Sequence, residues 1–190
     1  MRVGDYLLLA CTRKSARRTG VFGIKLHWTH HELLIHLLRG LRGSKGLPDS
    51  RLVESVFPRP RYVWLTREDE VAQAVSWHRA KATRVWLDDA QQLADPVFDY
   101  EAIDERLRLV REHNARWREW FEDNEVEPFA VSYEQLVGDP AAVALATVAH
   151  LGVGVAGEVS GKPHTRRQAD ALNAEWARRY REQAAGARKP

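Results

Sequence analysis

The stretch RYVWLTREDEVAQAVSW (61–77) decides the fold. Its first six residues, RYVWLT (61–66), are rich in β-branched and aromatic types and follow the breaker PRP (58–60), so they read as a strand. From Glu68 onward Val71, Ala74, Val75 and His78 share one face at helical spacing, which predicts a helix to about residue 86. Folding alone does not ask for Arg67 at that junction. Thr66 is placed to cap the helix, with Asp69 three residues on completing a box-like pair, and Arg67 then stands at the helix mouth. Ser76 lies nine residues further on, about 13 Å along an ideal helix and roughly opposite in azimuth. The two can meet on one ligand only if Arg67 lies outside the helix.

Outward from this stretch, strands and helices alternate. DYLLLAC (5–11) is a continuous apolar run of the kind buried on both faces of a parallel sheet. TRKSARRTG (12–20) is a basic loop, VFGIKL (21–26) a second short strand, and HWTHHELLIHLLRGLRG (27–43) a helix followed by the loop GSKGLPDS (43–50). Ile103, Leu107, Val110, Trp117 and Phe121 make one apolar stripe along a helix from about 99 to 123, and EPFAVSY (127–133) is a fourth strand. Asp139 and Pro140 then start a helix that Gly152 ends, and a last amphipathic helix covers 168 to 183. This order predicts an α/β fold: a three-layer, mainly parallel sheet flanked by helices, within a single domain spanning 1–190. Ligands of such folds bind at the carboxyl ends of the strands.

Composition narrows the partners. A net charge of +3 over 190 residues is too small to point to nucleic acid, and 44% apolar content is ordinary for a globular protein. The single cysteine, Cys11, permits no intrachain disulfide, and no apolar run reaches the length of a membrane span, so a cytoplasmic protein without stable membrane insertion is expected. Cations follow three strands: Arg13 and Lys14 with Ser15, then Lys25 with His27, then Arg67. Together they fit a phosphate-rich ligand, although each loop taken singly reads equally as solvated surface. There is no GxxxxGK[ST] loop. His27 and His31, four apart beside His30 and Glu32, lack a third ligand at metal spacing, so no metal is expected. Trp117 and Trp120 read as core packing rather than base stacking, and the arginines of 106–118 as a solvated helix face.

Four blocks go further: VFGIKLHW (21–28), TREDEVAQAVSWHRAKATRVW (66–86), WREWFEDNEVEPFAVSYEQLVGDP (117–140) and RRQADALNAEWARRYR (166–181). In order and content they resemble the bacterial trehalose 2-sulfotransferase family, and YEQLVGDPAAVALATVAHLGV (133–153) is similar to a segment of sulfotransferases generally. The resemblance implies a P-loop NTPase-like sulfotransferase fold. It also implies transfer of a sulfuryl group from 3′-phosphoadenosine 5′-phosphosulfate (PAPS) to a carbohydrate hydroxyl, trehalose or a related glycoside, by a homodimer. By the same resemblance Arg67 and Ser76 bind the 3′-phosphate, while Arg13, Lys14 and Ser15 stand at the phosphosulfate loop. Arg167 is a nucleotide contact, and Lys25 lies near the transferring group. The family's loop has the form PRSGST, of which only Arg13 matches. The family's first helix and following segment, which carry its general-base glutamate, have no counterpart between TRKSARRTG and VFGIKLHW. His27 is the candidate substitute base. The alternative is a catalytically impaired relative that binds PAPS, or its product 3′-phosphoadenosine 5′-phosphate (PAP), or serves a structural role without turnover.

Overall fold

The computed structural model describes residues 21–83, 95–154 and 171–187. In chain order the elements are α1 (Trp28–Arg39), α2 (Asp49–Val56), β1 (Val63–Thr66), α3 (Glu70–Thr83), α4 (Tyr100–Asp123), β2 (Phe129–Ser132), α5 (Tyr133–Gly138), α6 (Pro140–Leu151) and α7 (Ala171–Ala187). β1 and β2 pair in parallel, Val63 opposite Phe129 and Thr66 opposite Ser132. A parallel pair needs a crossover, and here α3 and α4 lie between the strands in sequence. Among the described residues the fold is therefore helix-rich α/β with a small parallel sheet.

Several expectations are corrected. VFGIKL (21–26) carries no strand, and α1 stops at Arg39, where the N–H of Gly40 turns back to Leu37. The loop expected over 43–50 runs into α2, eight residues too short to show a helical period. α3 starts at Glu70 rather than Glu68, and Tyr133 opens a helix instead of closing a strand. Arg106 is not on a solvated face: it is buried, with its guanidinium over the ring of Trp77. The strand expected at 5–11 lies outside the described residues.

The described residues fall in two compact units, one within Met1–Tyr62 and Arg116–Pro128, the other within Val63–Ala115 and Phe129–Pro190. In the first, Leu34, Ile35, Leu38, Leu52 and Val53 form the apolar core. Beside it the His31 ring, 4% exposed, sits among Trp28, Trp117 and Trp120 at centroid distances of 5.2, 4.7 and 4.7 Å. The packing role expected of Trp117 and Trp120 is what the structure has. Neither ring nitrogen of His31 has a hydrogen-bond partner among the described residues, and burial lowers its pKa from 6.5 against the opposing pull of Asp49 and Glu32.

The unfolded chain therefore takes up the proton first. The stabilisation due to the neutral imidazole is intact above about pH 6.5 and is lost as pH falls toward the folded-state value. Denaturant midpoints measured from pH 7.5 to pH 5 should fall less in His31→Phe than in wild type. Parallel profiles would show that His31 does not carry this dependence.

In the second unit Ala74 and Val75 of α3, Ile103 and Leu107 of α4, and Trp176, Ala177 and Tyr180 of α7 make the core, on the faces their spacing predicts. α6 is bounded as its sequence asks. Asp139 accepts from the Ala142 N–H at 2.9 Å, Pro140 takes the first position, and Gly152 ends the helix at φ 65°, a conformation that favours glycine.

Candidate functional site

The site is built where β2 turns abruptly into α5. Ser132 closes the strand and caps the helix. The Gln135 N–H donates to Ser132 Oγ at 3.1 Å, and the Ser132 N–H donates to Gln135 Oε1 at 2.9 Å. This reciprocal box fixes Tyr133 and Glu134 at the carboxyl end of β2. Because Thr66 is paired with Ser132, the next residue of β1's chain, Arg67, comes alongside Tyr133. Its guanidinium carbon lies 4.7 Å from the Tyr133 ring centroid, a cation–π contact. Arg67 Nε is buried without a hydrogen-bond partner among the described residues, 3.8 Å from Glu134 Oε1, and the side chain is 18% exposed.

The three acids after Arg67 have separate roles. Asp69, not Thr66, caps α3, accepting from the Ala72 N–H at 2.9 Å. The physical reason is register: a helix that begins at Glu70 puts the Asp69 carboxylate, not the Thr66 hydroxyl, within reach of its free N–H groups. Asp69 Oδ1 also accepts from Arg181 Nη2 of α7 at 2.6 Å. Glu70 accepts from Arg111 Nε at 3.0 Å and Asn114 Nδ2 at 3.4 Å, which ties the junction to α4. Glu68 is exposed, but its N–H donates to Glu134 Oε2 at 3.0 Å, and the Asp69 N–H reaches Glu134 Oε1 at 3.5 Å.

Burial pushes the Asp69 carboxyl up. The Ala72 N–H, Arg181 and Arg67 outweigh it and hold the group below its ordinary value. Glu134 is likewise held down: against desolvation it has backbone N–H donors, those of Glu68 and Asp69 among them, and the nearby Arg67. Both are therefore carboxylates at neutral pH. The junction thus combines an oriented arginine, a second arginine on α7, backbone N–H groups and two balancing carboxylates. Chemically, such an arrangement of cations is one that can receive an anion, its own charge being balanced by the two carboxylates.

Arg67 does lie outside α3, the condition for sharing a ligand with Ser76. Ser76 is half-buried six residues into the helix, about 9 Å along its axis. Lys25 and His27 belong to the other unit and are exposed. His27 precedes α1, its carbonyl accepting from the N–H groups of His30 and His31. Arg13, Lys14, Ser15 and Arg167 lie outside the described residues. Tyr133, Glu134 and Arg181 are the site residues missed from sequence. The box S-x-x-Q at Ser132–Gln135 was a readable signal for the first two. Arg181 had none, being 112 residues from Asp69.

The sequence model of the Stf0 sulphotransferase family matches residues 4–183. The chain is similar to the trehalose 2-sulfotransferase of Mycolicibacterium smegmatis, 34% identical over 169 residues that cover 87% of this chain and 62% of the relative. It is also similar to the trehalose 2-sulfotransferase of Mycobacterium tuberculosis, 30% identical over 169 residues with the same coverages of 87% and 62%. The chain thus spans 62% of the length of the curated relatives it matches.

Proposed function

The chain belongs to the Stf0 sulphotransferase family, and from that premise we propose that it moves a sulfuryl group from PAPS to a hydroxyl of trehalose or a related glycoside. The observation that carries the reading is Arg67: an arginine whose guanidinium carbon lies over the Tyr133 ring at the carboxyl end of a parallel strand, its Nε buried without a hydrogen bond among the described residues. A planar, always-charged fork held against an aromatic ring suits a bidentate grip on a phosphate. Arg67 takes the 3′-phosphate, with the Ser76 hydroxyl as second donor. Arg13, Lys14 and Ser15 hold the phosphosulfate end, and Arg167 contacts the nucleotide.

PAPS supplies the activated sulfuryl group; the chain's residues bind, align and move the proton. His27 takes the proton from the acceptor hydroxyl, and Lys25 stabilises negative charge at the transferring group. The working fold is the P-loop NTPase-like, three-layer sulfotransferase arrangement, a single domain acting as a homodimer in the cytoplasm on a carbohydrate acceptor. No helix among the described residues is long and apolar enough to cross a membrane.

The test is direct. The protein is incubated with PAPS and trehalose, glucose or maltose, and the products are read by mass spectrometry. A sulfated disaccharide formed from trehalose, and lost in Arg67→Ala, is the expected result. PAP binding without product would assign the chain to the non-catalytic relatives, and absence of both would overturn the reading.

A further inference from the structure

We infer that Glu134 is a positioning residue: its carboxylate fastens the turn between β1 and α3 so that Arg67 meets the phosphate with its outer edge. The inference rests on the phosphate reading of Arg67 above. Glu134 is the second residue of a six-residue helix whose start is locked by the Ser132–Gln135 box. Besides meeting its own backbone N–H, its side chain reaches out to the neighbouring turn. Oε2 accepts from the Glu68 N–H at 3.0 Å and Oε1 from the Asp69 N–H at 3.5 Å, so both peptide planes after Arg67 are tied to α5. The same Oε1 stands 3.8 Å from Arg67 Nε, too far for a hydrogen bond but close enough to attract the guanidinium by that edge.

With the Tyr133 ring against its central carbon and Glu134 beside its Nε, the guanidinium is held by two consecutive residues. The terminal nitrogens make no hydrogen bond among the described residues and are left for the ligand. A carboxylate near a phosphate site could instead act as an internal competitor, occupying the anion's place until displaced. The distances argue against that. Its better hydrogen bond is to backbone, and it faces Nε rather than the fork that grips a phosphate bidentately.

Three substitutions separate these roles. Glu134→Gln keeps one oxygen, which can still accept from the Glu68 N–H but gives up the longer bond from the Asp69 N–H, Glu134→Ala removes both oxygens, and Glu134→Asp is one methylene too short to span the turn. PAP titrated by calorimetry should bind Glu134→Ala about tenfold more weakly than wild type, while Glu134→Gln recovers to within roughly threefold. Glu134→Asp should fall between the two and replaces Glu134→Ala if that variant fails to fold. Amide exchange at Glu68, followed by NMR without ligand, should be slow in wild type and Glu134→Gln and fast in Glu134→Ala.

Affinity in Glu134→Ala equal to wild type or tighter would overturn positioning in favour of a competitor. A Glu134→Gln as weak as Glu134→Ala would show that charge, not the hold on the turn, matters, and would also overturn it. If wild type itself ignores PAP, the phosphate reading fails, whereas the exchange rates still decide whether Glu134 holds the turn.

Discussion

Arg67→Ala is expected to weaken PAP binding by about 2 kcal/mol or more, roughly thirtyfold, in a calorimetric titration at moderate salt. The loss has two sources. A charge-assisted contact to the phosphate disappears, and the carboxylates of Asp69 and Glu134, which Arg67 helps to neutralise, are left facing an incoming anion. Arg67→Lys restores the charge but neither the planar fork nor the contact with Tyr133, so its affinity should lie between alanine and wild type. Thermal stability separates binding from folding, because Arg67 makes no hydrogen bond among the described residues and its removal should cost little. Equal PAP affinity in Arg67→Ala and wild type would sink the phosphate assignment.

Trp176→Ala should lower the unfolding free energy by about 3–5 kcal/mol, a large share of the 5–15 kcal/mol typical of a domain. Trp176 is 5% exposed and packs in the core that joins α3, α4 and α7, with the rings of His78 and Phe98 each 5.9 Å away. Its indole cannot be replaced by collapse of rigid helix faces, so a cavity remains. The effect should also reach the anion site. α7 carries Arg181, whose bond to Asp69 braces the start of α3, so a loosened α7 weakens that brace. Urea unfolding followed by circular dichroism measures the first effect, and PAP affinity the second. A cost below about 1 kcal/mol would show that α7 does not complete this core.

The parts of this protein legible in its sequence are those governed by near neighbours along the chain. The stripe Ile103, Leu107, Val110 and Phe121 announced α4, and Asp139-Pro140 with Gly152 bounded α6, because caps and periodicities act over one or a few turns. Errors came where local signals were short or competed. Eight residues of α2 show no period, and VFGIKL has strand composition without a ladder to join. EPFAVSY looked uniformly strand-like although Ser132 was already a helix cap. Arg106 looked solvent-facing because charge suggests exposure, whereas its place on α4 borders the buried stripe of Ile103, Val110 and Leu107.

For the candidate site, the sequence alone determined that Arg67 stands at a strand-to-helix junction after a run that ends at Thr66. That follows from composition and spacing alone. Which face of Arg67 is held, and by what, was decided only in the tertiary structure. The parallel register of Thr66 with Ser132 brings Tyr133 and Glu134 against Arg67 although they stand 66 and 67 positions further along the chain, and the packing of α7 delivers Arg181 to Asp69. Such pairings depend on strand register and helix docking, which sum many weak contacts between distant segments. No window of sequence contains them.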